Sequence, residues 1–302
     1  MAGSAGRGYE GVRVAVLGAS GFIGQWVVRK LAGQGARVCA IGRDSDLLDT
    51  LRRLRPSITF NLAGYGVDPS ERDEAAAYRI NAELPGTLAE AVSAWRNPVW
   101  PGQDLVHVGS GAEYGNAGGD LREDGPVRPT SLYGRSKWHG TQAVTQRCRE
   151  LGLRGLTARL FTVYGPGERA GRLLPSLLEA ARAGQVVPLS PGLQRRDFTY
   201  IEDVAEGLLL LGLASAKAGE VVNLATGRLN TVRSFVEIAA GILGIRPENL
   251  HFGAIPANSH EMEHEGIALD RLRRLLGWTP PTSIPLGVRR TLEISLLEQT
   301  NQ

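Results

Sequence analysis

A phenol and an ammonium stand four residues apart in Tyr133-Gly-Arg-Ser-Lys137, and on a helix that offset puts both side chains on one face. A fixed cation beside a phenol favours the phenolate and should draw its pKa down toward working pH. That suits a group that gives a proton to a carbonyl oxygen or takes one from its alcohol. Ser110, at the end of the run LVHVGS (105–110), could hydrogen-bond the same oxygen. An ordinary surface cation–tyrosine pair is the other use of Tyr133 and Lys137.

A second group of residues could hold a phosphate. Gly18-Ala-Ser-Gly21-Phe-Ile-Gly24 follows the β-branched run VRVAVL (12–17) and opens a stretch with helical apolar spacing. Backbone N–H groups and the positive end of a helix would then face a pyrophosphate. The glycines have separate jobs there, namely a tight turn, close approach of the phosphates and close packing of helix on strand. A purely structural turn is the alternative. The next apolar run, ARVCAIG (36–42), ends at Gly42-Arg43-Asp44. Arg43 stands where an arginine holds the 2′-phosphate of NADP, and Asp44 could instead bind a ribose hydroxyl, as in NAD sites.

These residues need a scaffold, and the pattern supplies one. Strands at 12–17, 36–42, 58–63, 105–110 and 156–165 alternate with helices over 22–35, near 47–55, around 73–95 and over 133–151. This predicts an α/β fold, a Rossmann-like doubly wound parallel sheet covered on both faces. Fifteen residues separate Gly42 from Ile58, too few for another strand with two connections, so the third strand should be vestigial or missing, with Asp46-Leu47 in its place. Beyond Pro166 the alternation fades into helices at 173–183, 203–213, 231–243 and 286–298 and a short strand near 186–189. The expected division is a dinucleotide-binding domain of residues 8–165 plus about 197–228. A smaller, discontinuous C-terminal α/β substrate domain takes about 166–196 and 229–302.

Composition narrows the classes. The chain has 302 residues, 42% hydrophobic and 22% charged, long enough to bury a large core and unlike a disordered or fibrous chain. Lys and Arg number 34 against 31 acidic residues, and they are scattered, which argues against a nucleic-acid partner. Cys39 and Cys148 are too few for a disulfide framework and read as small buried apolar residues. MAGSAGRGYEG lacks the apolar centre of a signal peptide, and the apolar run 208–213 is too short for a bilayer. A cytoplasmic protein with no membrane partner is expected. His260 and His264 lie four apart without a third ligand at suitable spacing, so they read as a solvated loop and no metal is expected.

Several further motifs carry a resemblance: Asn61-Leu-Ala-Gly64, Asn81 in YRINAELPGT, VGSGAEYG (108–115), RLFTVYGPG (159–167), RRDFTYIEDV (195–204), NLATG (223–227) and LGWTP (276–280). With the glycine turn and the Tyr–Lys pair, they make the sequence similar, over nearly its whole length, to the extended short-chain dehydrogenases/reductases of the nucleotide-sugar epimerase/dehydratase branch. The resemblance implies that Ser110 and Tyr133 contact the substrate oxygen and that Lys137 also binds the nicotinamide ribose. It implies a cofactor site of Gly18, Ser20, Gly21, Phe22, Ile23, Arg43, Asp46, Leu47, Leu62, Ala63, Gly64, Asn81, Tyr133, Lys137 and Leu160. Gly111, Ala112, Thr162, Leu173 and Arg196 would meet the substrate, with Arg196 on a phosphate.

Departures from the family pattern narrow the chemistry. The 4,6-dehydratases carry an Asp-Glu pair where Gly111 and Ala112 stand, and epimerase-reductases carry a cysteine at the place of Ala112, so elimination and C3/C5 epimerisation are not expected. Thr162 replaces an asparagine, and Ser259 to His264 replace an arginine-containing stretch. The expected activity is NADPH-dependent reduction of a nucleotide-linked keto sugar, with NAD possible as cofactor. A 4-epimerase that retains its cofactor is second, and a catalytically idle NADP-binding regulator is the reading from another class. A homodimer using apolar faces near 88–95 and 138–148 is expected from the family.

Overall fold

The computed structural model describes residues 8–42, 46–66, 70–256 and 264–300. In chain order its first half runs β1 (Arg13–Leu17), α1 (Phe22–Gly33), β2 (Arg37–Ile41), α2 (Leu47–Leu54), β3 (Ile58–Asn61), α3 (Glu74–Tyr78), α4 (Leu84–Trp95), β4 (Leu105–Ser110), β5 (Asp120–Leu121) and α5 (Leu132–Leu151). There follow β6 (Gly155–Leu160), β7 (Thr162–Tyr164), α6 (Leu173–Ala183), β8 (Val187–Leu189), β9 (Arg195–Tyr200), α7 (Ile201–Leu213), β10 (Glu220–Leu224), β11 (Leu229–Thr231), α8 (Val232–Leu243), β12 (Leu250–Phe252), β13 (Gly266–Ile267), α9 (Asp270–Leu276) and α10 (Ile284–Thr300).

Six parallel strands form the main sheet in the order β10-β6-β4-β3-β1-β2. The chain leaves β1 toward β2 on one side and returns to β3 on the other. This reversal opens a crevice at the carboxyl ends of β1 and β3, where ligands bind in open sheets of this kind. Among the described residues no strand lies between β2 and β3. Asp46 instead caps α2, accepting the Asp49 N–H at 3.0 Å, and Leu47 packs into the smaller apolar cluster.

Alternation along β1 divides the core. Val14 and Val16 face the large cluster with Val27 and Leu31 of α1 and Val204 and Leu208 of α7, while Ala15 and Leu17 face α2, α4 and α5. Cys148 fills the second cluster and is fully buried, whereas Cys39 is only partly so. Leu88, Ala89, Ala91, Val92 and Val144 belong to it too, so much of the apolar surface expected to meet a second copy packs α4 on α5 within one chain. Outward from there, His139 lies against Tyr78 and Trp138, at ring distances of 5.7 and 5.3 Å.

Two segments depart from the sequence reading. The helix expected over 73–95 is interrupted by a wide π-turn at Arg79–Glu83, beside Pro85, which has no N–H to donate within a helix. The strand expected over 156–165 is two strands. β6 ends level with Ser110 and Leu224 at the sheet edge, and β7 pairs with β9 in a separate sheet ordered β11-β9-β7. The strand β9 and the short strands β5, β11, β12 and β13 have too few residues or too little apolar alternation to stand out in sequence.

The glycine turn shows why two of its positions take no side chain. Gly18 has φ 74°, and a Cβ there would stand 2.8 Å from the Leu62 carbonyl group. At Gly24 a Cβ would meet the Gly18 oxygen at 2.1 Å. Gly24→Ala should therefore cost about 1–3 kcal/mol, the range for overpacking. Gly33→Ala, in a normal backbone conformation with nothing within 4 Å, should gain about 0.4–1 kcal/mol. Urea unfolding of the two variants checks both signs.

Candidate active site

The three residues nominated for carbonyl chemistry meet at the carboxyl edge of the main sheet. Ser110 closes β4, and α5 starts at the Ser131 cap, whose hydroxyl accepts the Gly134 N–H at 3.0 Å. This start places Tyr133 in the first turn and Lys137 one turn later on the same face. The Tyr133 hydroxyl is near enough to Ser110 for that hydroxyl to favour its ionised form. The Lys137 ammonium, 2% exposed, donates to the Val108 carbonyl at 2.5 Å.

Electrostatics correct one expectation. Burial pushes the Tyr133 hydroxyl above its ordinary value, and the anion Glu113 pushes the same way, while the Ser110 hydrogen bond and the Arg172 guanidinium only oppose them. Desolvation outweighs the favourable contacts, so Tyr133 stands as a phenol, a proton donor, in the ligand-free protein. Burial also lowers Lys137 to about 8, resisted by Glu113. His107, fully buried behind it, is held well below the usual imidazole value by burial and by Lys137, so it is neutral and takes no charge from the site.

The turn after β1 leaves the start of α1 open, the geometry that phosphate groups bind at helix starts. Gly21 caps α1 without a side-chain partner, and a Cβ on it would meet only the Gly18 oxygen within 4 Å, at 3.2 Å. The first N–H groups of α1, those of Phe22 and Ile23 included, are therefore open at its positive end. Leu62 donates its N–H to Leu17 at 3.0 Å, and Ala63 donates to the Asn61 side chain at 3.3 Å, which fixes the opposite lip. Gly64 follows, and Ser20 lies exposed in the turn. Asn81 is fully buried. Its amide accepts from Tyr65 N–H at 3.0 Å and donates to the Tyr65 carbonyl and the Ser136 hydroxyl at 2.8 and 2.9 Å. It thus ties the 64–65 loop to α5 from behind. Arg43 lies outside the described residues.

Beyond the sheet edge, Thr162, Leu173 and Arg196 line one cavity of about 150 Å³ with Glu168, Arg172 and Phe198. Arg196 is carried on β9, whose neighbouring Asp197 accepts from Thr226 N–H and Oγ1 and Arg228 N–H at 2.8–3.1 Å. Leu160 is buried at the end of β6. Gly111 is buried rather than open to this cavity. A Cβ there would stand 2.7 Å from the Phe161 ring, so an acidic side chain could not replace it without moving that ring, while Ala112 keeps partial exposure. His264 is buried, not solvated, and His260 lies outside the described residues. Among the described residues no cluster of three His, Cys, Asp or Glu is placed to hold a metal.

Three site residues were not singled out from sequence. Arg172 stands just before α6, in a glycine-rich stretch that nothing marks. Glu168 is equally unmarked. Glu113 could have been found, because Ser110-Gly-Ala-Glu113 has the spacing of a capping box, and the structure forms both of its hydrogen bonds.

The chain belongs to the NAD dependent epimerase/dehydratase family, whose description matches residues 14–225. It is 32% identical over 92% of its length to dTDP-6-deoxy-L-talose 4-dehydrogenase (NAD(P)(+)) of Kitasatospora kifunensis, covering 93% of that protein. It is 33% identical to a probable dTDP-4,6-dihydroxy-2-methyloxan-3-one 4-ketoreductase of Streptomyces antibioticus over 67% of each chain. MoeE5, solved in complex with UDP-glucuronic acid and NAD, superposes with a TM-score of 0.82 at 28% identity, covering 95% of this chain and 99% of that one. No helix among the described residues is long and apolar enough to cross a membrane.

Burial raises the Glu168 carboxyl from 4.5 to about 7, with Arg172 opposing at 3.6 Å. The unfolded chain loses this proton near 4.5 and the folded one near 7, so wild-type stability should fall as pH rises through that window. Glu168→Gln should cancel the fall, gaining about 1–3 kcal/mol on wild type between about pH 4.5 and pH 8. Urea unfolding at several pH values reads the difference. Parallel curves for the two proteins would contradict it.

Proposed function

We propose that this protein reduces the keto group of a nucleotide-linked deoxy sugar with NADPH, Tyr133 giving the proton. The observation that carries this reading is the placement of Tyr133, its hydroxyl within reach of Ser110, one turn before the buried Lys137 on α5, at the carboxyl edge of the sheet where β1 ends in the glycine turn. The turn fits a dinucleotide, since the approach of Gly18 to Leu62 leaves no room for a side chain and the start of α1 offers open N–H groups. Gly18, Gly21, Phe22, Ile23, Ala63 and Gly64 would hold the coenzyme, and Arg43 is the sequence reason for preferring its phosphorylated form. When bound, the coenzyme supplies the hydride.

The residues of this chain do the rest. Ser110 and Tyr133 receive the substrate carbonyl oxygen, and Tyr133 releases its proton as negative charge develops there. The cost of leaving a buried phenolate behind is lowered by the Arg172 guanidinium, which favours the ionised form. Arg172 and Arg196 line the neighbouring cavity and suit a diphosphate, which arginines bind with paired hydrogen bonds. Gly111 and Ala112 offer no acid or base for eliminating water. The names of the two relatives, a 4-dehydrogenase and a 4-ketoreductase, support reduction over epimerisation.

With NADPH deuterated at the transferred position and a dTDP-4-keto-6-deoxyhexose, each turnover should consume one NADPH and leave one deuterium on the product carbon. Interconversion of two nucleotide hexoses without added coenzyme would overturn reduction in favour of epimerisation. Tyr133→Phe should lower turnover at least about 10²-fold, the usual worth of a positioned proton donor, while NADPH affinity stays within a few-fold. Near-wild-type turnover would remove Tyr133 from the chemistry.

A further inference from the structure

We propose that Glu113 is a positioning residue of this site, its buried carboxylate holding the Ser110 turn and supplying negative charge to the desolvated region that holds the Lys137 ammonium. The inference rests on the reading of Ser110, Tyr133 and Lys137 as the reacting group. Glu113 is fully buried, and every hydrogen bond it makes serves the site. Its Oε1 accepts the Ser110 N–H at 2.8 Å and the Thr141 hydroxyl at 3.0 Å, and its Oε2 accepts Arg159 Nε–H at 2.7 Å. A Cβ on Gly109 would stand 2.6 Å from Oε1. The carboxylate therefore presses on the β4 backbone beside the Val108 carbonyl that receives Lys137.

The charge balance explains the arrangement. Lys137, Arg159 and Glu113 share one desolvated region, and a buried cation without a nearby anion gives up its proton. Arg159 pairs with Glu113 Oε2 at 2.7 Å and lies with its guanidinium 4.5 Å over the Tyr114 ring, and Tyr114 donates to Asn223 at 2.8 Å. The remaining groups around Lys137 are Tyr133 on its own helix and neutral His107 on β4, with Arg172 acting on Tyr133 from the start of α6. From α3, Tyr78 meets only the His139 ring on the outer face of α5. On α4 and β10, Glu90 and Glu220 pair with Arg147 and Arg274. Arg147 lies ten residues along α5 from Lys137, about 15 Å by helix rise. Glu113 is thus the anion that acts on Lys137, and it resists the fall that burial imposes.

Only Lys30, Lys137 and Lys217 are lysines, so the side-chain carbon signals of lysine-labelled protein can be assigned by Lys137→Arg. In wild type Lys137 should titrate near 8. Glu113→Gln keeps an acceptor for Ser110 and Thr141 but removes the charge, and should move that midpoint down by about one unit. Should the single variant fail to fold, the paired Glu113→Gln, Arg159→Gln should still titrate below Arg159→Gln, the reference in which loss of the Arg159 cation cancels. A midpoint unchanged from its reference in either folded variant overturns the proposal. The basic limb of kcat/KM should follow the midpoint downward. A midpoint that moves while the limb stays would instead remove Lys137 from the reaction, leaving the electrostatic role of Glu113 standing.

Discussion

The site depends on keeping a lysine charged where water is scarce. Lys137 sits beneath the carboxyl edge of the sheet with 2% of its surface exposed, and an ammonium in such a place loses its proton unless something compensates. Compensation comes from the Val108 carbonyl and from the Glu113 carboxylate. The strands under α5 are also not purely apolar, as buried parallel strands usually are. Asn61, His107 and Thr157 lie in register across β3, β4 and β6 on the face that carries Ala15 and Leu17 on β1, and the Asn61 amide meets the His107 ring at 3.1 Å. Charged and hydrogen-bonding groups occupy space that hydrophobic packing would otherwise fill.

The two halves of the cleft are built differently. On the coenzyme side, backbone geometry does the work, through a left-handed glycine, an open helix start and the Asn81 amide that ties one lip to α5. On the cavity side, charged side chains do it. Arg172 and Arg196 are held by the start of α6 and by β9, and the β9 strand is clamped through Asp197 to the 226–228 turn. The second clamp, from Asp203 to Thr282 at 2.8 and 2.9 Å, ties the start of α7 to the segment before α10. Relative placement of the two halves therefore rests on a few buried carboxylates rather than on broad apolar contact alone.

Much of this was legible in the sequence where local chemistry dictates structure. The glycine turn, the main strands and helices, the lack of a strand between β2 and β3 among the described residues, and the placement of Ser110, Tyr133 and Lys137 at the carboxyl edge of the sheet follow from periodicity, spacing and family likeness. The break between β6 and β7 was not legible, since RLFTVY continues an apolar alternation and only the sheet edge decides where pairing ends. The π-turn at 79–83 needed the tertiary contact of Asn81. Glu168 and Arg172 pair across one i,i+4 step, but their place in the cavity beside Thr162, Arg196 and Phe198 and the action of Arg172 on Tyr133 come from tertiary contacts that no local pattern encodes. The Tyr133 expectation failed for a physical reason. Sequence spacing shows that a cation is near but not how much water has been removed from the phenol.

Burial, moderated by a few fixed charges, sets the protonation of Tyr133 and Lys137, the proposed reacting groups. The most direct measurement is the ultraviolet difference titration of wild type against Tyr133→Phe without coenzyme, which isolates one phenol. The account predicts that Tyr133 remains un-ionised through its ordinary value of 10.0 and titrates above it. A Tyr133 phenolate signal with a midpoint below that value would contradict it, showing that the neighbouring cations outweigh burial.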